Sequence, residues 1–251
     1  MDKPDTVCFL VLYWSYGFSM QTATQLWQHV PEAFILAIVN EPLRNDFPER
    51  AASYNTPLAK RYRWGKGNVQ LKWTEAWTRR FCEAEADWFR KQKQCLVVST
   101  PRFMLHGEAI NLAFQWSRER GIKRLMHIEP DCIISGRSWY DSLHRAWGQD
   151  VWLVARPTNP ESLTPSLTPS LWSVKDATKL DFSIQWEQPE CTEERHRPYF
   201  EKANRLGYWD TGTWAIYQAM ARDKAKTADC SDFTHLFRGT STIYENSLLF
   251  L

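Results

Sequence analysis

Apolar runs that alternate with helical patterns organise the first half of the chain. Four continuous runs, at residues 6–14, 34–39, 96–99 and 123–128, are rich in β-branched and large apolar residues. Such runs are typical of strands that are buried on both faces, as in parallel sheets. A further run of this kind, at residues 151–155, follows. The pattern therefore predicts at least five strands of a buried sheet.

Between these runs, apolar residues recur at helical spacing. The spacing predicts helices over residues 19–30, with Ser19 as N-cap, over 69–91 and over 106–120, where Gly121 ends the last of them. A strand, a helix and a second strand in sequence form a βαβ unit, which implies a parallel sheet with right-handed crossovers. We expect an α/β fold with a mostly parallel central sheet flanked by helices.

The remainder of the chain is irregular in pattern. Residues 44–68 and 185–196 are polar, so each is predicted as an excursion, and residues 157–171, with four prolines, are predicted as a loop or flap. Residues 209–221 fit either a strand or a helix. Because no clean linker is visible, one domain over residues 1–251 is expected.

Composition narrows the class of protein without identifying it. Of 251 residues, 43% are hydrophobic and 24% charged, which suits a packed core, and the net charge of +2 demands no nucleic-acid partner. The 14 Trp suit a large core or the stacking of sugars and bases. The six Cys form no CxxC pair, which argues against a zinc site. With no signal-peptide pattern and no membrane-spanning stretch, a cytoplasmic location is expected.

Two acids follow the predicted strand at residues 123–128. Glu129 and Asp131 flank Pro130, whose fixed φ stiffens the pair. In open parallel sheets, ligands bind at the carboxyl ends of the strands, and paired carboxylates suit Mg²⁺ or Mn²⁺ together with phosphate oxygens. The other interpretation is a solvent-facing strand end with two ordinary acids. Further polar residues, Ser15-Tyr16 and Asn40-Glu41, also end strands, which favours a nucleotide pocket.

The order of these features resembles that of nucleotide-sugar-dependent glycosyltransferases of the GT-A fold. Strand, helix, strand, long helix and strand are followed by Gly107-x-x-x-Asn111 opening a helix, and then by a strand that ends in acid-x-acid. In that family the strand-end motif is Asp-x-Asp, which binds a divalent metal at the donor's diphosphate. Glu129 replaces the first Asp here, so the motif is a variant. The resemblance covers residues 6–155. It implies a single GT-A-like domain with a nucleotide-sugar-binding half at 1–155 and an acceptor-side half at 156–251.

The resemblance implies roles for the residues near the donor. Ser15, Tyr16 and Glu41 would hold the base and the ribose of a nucleotide sugar. Gly107 and Asn111 would lie under the nucleotide.

It also implies a metal site and a phosphate contact. Asp131 would ligate Mn²⁺ or Mg²⁺, and Glu129 would reach the metal, a metal-bound water or the ribose. His235 is the candidate for a further metal ligand from the C-terminal part, with a structural histidine as the other interpretation. Arg238 would contact a phosphate. Arg63 and Lys66 are further candidates for a cationic clamp.

The resemblance further implies a hexosyltransferase-like enzyme. If the reaction inverts the anomeric centre, Asp210 would take the acceptor proton and Trp209 would stack on the acceptor sugar. Asp210 is equally suited to a turn, and a retaining reaction needs no such base. The acceptor is left open between glycan, lipid, protein and nucleic acid, and so is the oligomeric state.

Two other functions compete with this hypothesis. A nucleotidyltransferase would share the sheet and the metal carboxylates, but it would be expected to carry a basic Gly-rich loop after the first strand, where Ser15-Tyr16-Gly17-Phe18 has no Lys or Arg. A non-catalytic carbohydrate- or nucleic-acid-binding protein would use Trp faces and basic clusters. Neither a Walker A motif nor a Gly-x-Ser-x-Gly motif occurs.

Overall fold

The structure is a computed structural model. It describes residues 5–12, 17–39, 83–100, 104, 106–158, 165–183, 194, 197, 200–201 and 211–236. The strands are β1 (Thr6–Leu12), β2 (Ile35–Val39), β3 (Cys95–Ser99), β4 (Arg124–His127), β5 (Cys132–Ile134), β6 (Leu153–Pro157), β7 (Pro165–Ser173), β8 (Ala225–Thr227) and β9 (Phe233–His235). The helices are α1 (Phe18–His29), α2 (His106–Glu119), α3 (Ser138–Ala146), α4 (Val174–Ala177) and α5 (Thr213–Ala221). Residues 83–90 are also helical.

In the part of the chain that the structure describes, seven strands form one central sheet in the order β3-β2-β1-β4-β7-β6-β8. The pairs β3–β2, β2–β1, β1–β4 and β6–β8 are parallel, and β7 is antiparallel to both of its neighbours. The predicted α/β fold with a mostly parallel sheet is therefore confirmed. Because β1 to β4 run in one direction, their carboxyl ends meet at one edge of the sheet.

Helices cover both faces of the sheet at β1 and β2, which explains why these two strands are apolar almost throughout. On one face, Leu10 packs with Leu26 of α1 and Trp139 of α3. On the other face, Phe9 packs with Phe114 of α2 and a cluster that includes α5. Successive strand residues point to opposite faces, so a strand between two helical layers needs apolar residues at every position.

The prediction of a loop at residues 157–171 is wrong for residues 165–171, because β7 begins at Pro165 and lies between β4 and β6. Its prolines lie where the ladder does not need their missing N–H groups. Pro165 is the first residue of the strand, and Pro169 lies beside the register shift between Ala155 and Pro157 of β6. Pairing with β4 starts only at Ser170.

The start of α1 also differs from prediction. Ser19 is a buried residue inside the helix, and Gly17 is the N-cap, with a φ of 87° that favours glycine. Gly121, by contrast, has a φ of 71° two residues after the end of α2, as a glycine that ends a helix does. Residues 213–221 of the ambiguous stretch form a helix.

Several predicted elements lie outside the described residues. These are the excursion at 44–68, residues 69–82 of the predicted long helix and nearly all of the excursion at 185–196. Within the described ranges, no helix is both long and apolar enough to cross a membrane.

Candidate metal centre

Glu129 and Asp131 lie where β4 ends, in a bend that leads into β5. The Ile128 amide still donates to the Phe9 carbonyl of β1, at 3.2 Å, so the chain leaves the sheet only at Glu129. This point is the edge at which the parallel strands β1 to β4 have their carboxyl ends. Asp131 is only 5% exposed, and an acid buried to this degree is found almost exclusively where a partner group compensates its charge.

His235 reaches the two acids through a second, small sheet. β9 pairs with β5 in antiparallel fashion, with Cys132 opposite His235, and the Leu236 amide donates to the Asp131 carbonyl at 3.0 Å. The Nε2 atom of His235 lies 2.7 Å from Oε2 of Glu129 and 3.2 Å from Oδ1 of Asp131. One ligand atom from each of the three residues lies within 4.8 Å of the others. Residues more than one hundred positions apart in sequence thus form one cluster.

The electrostatics of this cluster favour positive charge between the acids. Burial alone would lower the pKa of His235, but hydrogen bonds to Asp131 and Glu129 outweigh it and raise the pKa to about 9. Burial likewise opposes ionisation of Glu129, yet the hydrogen bond from His235 holds its pKa at about 2. At neutral pH a protonated imidazole therefore neutralises part of the acidic charge, at the place where a metal cation would do the same.

The donor set fits a hard or borderline divalent cation. Two carboxylates and one imidazole are suitable ligands for Mn²⁺ and other first-row metals, and carboxylates also suit Mg²⁺. In an octahedral shell with bonds of about 2.1 Å, neighbouring ligand atoms lie about 3 Å apart. The contacts of 2.7 and 3.2 Å from His235 Nε2 match that spacing. On metal binding, His235 would give up its Nε2 proton.

The backbone of the acid segment is fixed by side chains of α1 and β7, which sequence reasoning did not identify. Thr22 Oγ1 lies 2.7 Å from the Pro130 carbonyl and 2.8 Å from the Cys132 carbonyl, and it accepts from the Cys132 amide at 3.3 Å. Gln25 accepts from the Ile134 amide at 2.9 Å. Thr168 of β7 accepts from the Glu129 amide at 3.1 Å.

These contacts take the place of the hydrogen bonds that a second neighbouring strand would make to β5. In an antiparallel pair, alternate residues point their amides and carbonyls away from the partner strand. Cys132 and Ile134 are such residues in β5, because the bonds to β9 involve Asp131 and Ser135 instead. Thr22 and Gln25, three residues apart on one side of α1, provide hydrogen-bond partners for these backbone groups of β5.

A second histidine lies beside the acids on β4. His127 is 1% exposed, and the centroid of its ring lies 4.7 Å from that of the tilted Phe9 ring and 5.7 Å from that of the His106 ring. Its Nδ1 is 3.1 Å from the Leu167 carbonyl, so Nδ1 carries the proton of the neutral ring. Burial lowers the pKa of His127 to about 4, although Glu129 opposes the shift. The only feature of the sequence that points to this buried histidine is its position inside an apolar run.

Gly107 and Asn111 make a defined contact that the sequence did not predict. A Cβ on Gly107 would lie 2.2 Å from the Phe182 carbonyl oxygen. Asn111 donates to Asp181 Oδ1 at 2.8 Å and to Ser183 Oγ at 3.3 Å, and it accepts from the Phe182 amide at 3.1 Å. These residues therefore attach α2 to residues 181–183. Their contact with a nucleotide stays a prediction.

The remaining predicted site residues lie outside the described residues. They are Ser15, Tyr16, Glu41, Asp210 and Arg238, together with Trp209 and the clamp candidates Arg63 and Lys66. Of the predicted site, the structure thus brings together Glu129, Asp131 and His235.

No family model matches the chain, and no curated protein matches it. Solved structures that are similar to it include glycosyltransferases, as the sequence resemblance predicts. The mannosyltransferase PcManGT from Pyrobaculum calidifontis, in complex with GDP-Man and Mn²⁺, is 10% identical, with a TM-score of 0.44 over 72% of this chain and 48% of that chain. TarS 1-349 from S. aureus, in complex with UDP-GlcNAc, is 8% identical, with a TM-score of 0.45 over 91% of this chain and 57% of that chain.

The solved structure of a synthase is similar to the same degree. The enzyme, 4-diphosphocytidyl-2C-methyl-D-erythritol synthase, is 9% identical, with a TM-score of 0.42 over 98% of this chain and 99% of that chain. This chain spans only about half of the length of the two glycosyltransferase structures. With TM-scores below 0.5, these likenesses do not identify a function, which has to be argued from the metal centre itself.

Proposed function

We propose that the chain is a metal-dependent glycosyltransferase that moves a sugar from a nucleotide-sugar donor to an acceptor. The observation that carries the proposal is the convergence of Glu129, Asp131 and His235, with ligand atoms within 4.8 Å of one another. The cluster lies at the carboxyl ends of parallel strands, where α/β sheets bind their ligands. Buried acids at that place are costly unless a cation compensates them.

Each residue of the cluster has a proposed task. Asp131, Glu129 and His235 would hold Mn²⁺ or Mg²⁺ and orient it toward the donor diphosphate. A bound divalent cation would neutralise the negative charge that develops on the departing nucleoside diphosphate. Thr22 and Thr168 hold the acid segment in place through its backbone, so the carboxylates do not have to reorganise when the donor binds.

The other roles come from sequence alone. Ser15, Tyr16 and Glu41 would bind the base and the ribose, and Arg238 would contact a phosphate. If the anomeric centre inverts, the Asp210 carboxylate would remove the proton of the acceptor hydroxyl. Gly107 and Asn111 would support the nucleotide from the start of α2.

The proposal is tested by a thermal-shift panel of UDP-, GDP-, dTDP- and CMP-sugars, each with and without Mn²⁺. We expect one donor to raise the unfolding midpoint in the presence of Mn²⁺, and we expect Asp131→Asn to lose that rise. Asp150→Asn, which changes an exposed acid outside the cluster, is the matched control. If no donor shifts the midpoint of the wild-type chain, the proposal fails.

The products separate this function from that of a nucleotidyltransferase. A glycosyltransferase releases a nucleoside diphosphate or monophosphate from the nucleotide sugar, whereas a nucleotidyltransferase releases pyrophosphate from a nucleoside triphosphate. Incubation with Mn²⁺, nucleoside triphosphates and sugar 1-phosphates is therefore the second arm. Pyrophosphate release that depends on Asp131 would replace the proposed function with the nucleotidyltransferase alternative.

A further inference from the structure

The helix α3 begins without a capping side chain of its own, and Asp232 supplies one from the far end of the described chain. The N-cap residue, Arg137, makes no side-chain capping bond. Instead the carboxylate of Asp232 accepts from the Ser138 amide at 2.6 Å and from the Trp139 amide at 2.8 Å. Both are first-turn amides that have no partner within the helix. An ionised carboxylate at this end of a helix is also favoured by the helix dipole.

The backbone of Asp232 is fixed at the same place. Its carbonyl accepts from the Ser135 amide at 3.0 Å and from Ser135 Oγ at 3.2 Å. Gly136 leaves the space that this arrangement needs, since a Cβ there would lie 2.5 Å from Asp232 Oδ2. Asp232 is therefore attached by its side chain and its main chain to the segment that connects β5 with α3.

β9 starts directly after this anchor and carries His235. Phe233 is buried and its ring lies 4.9 Å from that of Trp139, so the first residue of β9 packs on the helix that Asp232 caps. Two residues further on, His235 lies opposite Cys132 and contacts the acids. β9 spans only three residues, and so short a strand has few ladder bonds with which to fix its own register.

We propose that Asp232 is a positioning residue that fixes β9 in register with β5 and thereby places His235 Nε2 at the Glu129 and Asp131 carboxylates. The proposal rests on the proposed function for the metal, and it adds a residue that touches neither metal nor donor. The first turn of α3 holds the Asp232 carboxylate, and His235 is the third residue after Asp232. Groups that hydrogen-bond directly to metal ligands commonly change metal affinity by about 10-fold to 100-fold when they are removed. Asp232 acts on His235 through the strand, so we expect its effect near the lower end of that range.

Mn²⁺ titration of the full chain tests the proposal. We expect Asp232→Ala to weaken Mn²⁺ binding by about 10-fold or more, and Gly136→Ala to act in the same direction by displacing the Asp232 carboxylate. Asp232→Asn should have a smaller effect, because its one carbonyl oxygen accepts as the carboxylate does while its NH₂ group cannot. Asp229→Asn, an exposed acid three residues before Asp232, should bind Mn²⁺ as the wild type does.

A double variant separates positioning from general support of the fold. If Asp232 acts through the imidazole, Asp232→Ala combined with His235→Ala should bind Mn²⁺ no more weakly than His235→Ala alone. Additive losses, or wild-type affinity in Asp232→Ala, would overturn the proposal.

Hydrogen exchange without metal distinguishes failure of this proposal from failure of the proposed function. The Leu236 amide, which donates to the Asp131 carbonyl, should exchange faster in Asp232→Ala than in Asp229→Asn. Unchanged Leu236 exchange would contradict the anchoring of β9. A wild-type chain that binds no Mn²⁺, together with faster Leu236 exchange in Asp232→Ala, would overturn the proposed function while supporting the anchoring.

Discussion

Replacing Thr22 by Val should destabilise the chain, because it removes the hydroxyl that fixes the acid segment without changing the size of the side chain. Thr22 is 1% exposed, and its hydroxyl faces the Pro130 carbonyl, the Cys132 carbonyl and the Cys132 amide. One hydroxyl proton serves one carbonyl at a time, so the variant leaves the Cys132 N–H and one carbonyl without their partner. Each buried group left unsatisfied costs about 1–3 kcal/mol, so the expected loss for the two groups is about 2–6 kcal/mol.

Urea unfolding followed by tryptophan fluorescence measures this loss. The matched control is Thr24→Val, on the same helix, because the Thr24 hydroxyl is exposed and donates to the Met20 carbonyl one turn earlier. We expect that control to change the free energy of unfolding by less than about 0.5 kcal/mol. Thr22→Ser keeps the hydroxyl and should recover most of the loss.

The same variants link the fold to the candidate metal centre. Because Thr22 holds the backbone on either side of Asp131, Thr22→Val should also weaken Mn²⁺ binding, and Thr22→Ser should restore it. A loss of stability in Thr22→Val no larger than that in Thr24→Val would refute the reasoning. It would mean that the acid segment is held by β9 and Thr168 alone.

Two further predictions concern packing and pH. Gly107→Ala should cost about 1–3 kcal/mol, since its Cβ would lie 2.2 Å from the Phe182 carbonyl oxygen, whereas Gly148→Ala meets nothing nearer than 3.6 Å; equal thermal midpoints would contradict this. Burial and the nearby Arg124 lower the pKa of His144 from 6.5 to about 4. Its contribution to stability is therefore complete above about pH 6.5 and is lost as pH falls toward 4, so His144→Gln should unfold with a shallower pH slope in that range.

The parallel strands β1, β2 and β4 were predictable because burial on both faces leaves a direct mark on the sequence. β1, β2, β3 and β4 lie where continuous apolar runs occur, and α2 lies where the apolar spacing is helical. β7 was not predictable in this way, since its prolines are typical of loops. They are compatible with a strand only because the register shift in β6 and the late start of pairing with β4 remove the need for their N–H groups.

The candidate metal centre was predictable only in part. Strand-end acids are visible in sequence, and the resemblance to GT-A glycosyltransferases suggested His235 as their companion. The contacts that hold the centre join residues about 40 to 110 positions apart, such as Thr22 with Cys132 and Glu129 with Thr168. Single Thr and Asp residues at such separations carry no periodic signal, so their roles become visible only when the chain is folded.

Mn²⁺ binding to the full chain, measured by electron paramagnetic resonance with and without a panel of nucleoside diphosphates, tests whether Glu129, Asp131 and His235 form a metal centre. We expect one Mn²⁺ per chain, held more tightly with one of the nucleotides, lost in Asp131→Ala and weakened in His235→Ala. Asp150→Ala should bind as the wild type does. A chain that binds no Mn²⁺ under any of these conditions, or that binds it equally after Asp131→Ala, would contradict the assignment of Glu129, Asp131 and His235 as a metal centre.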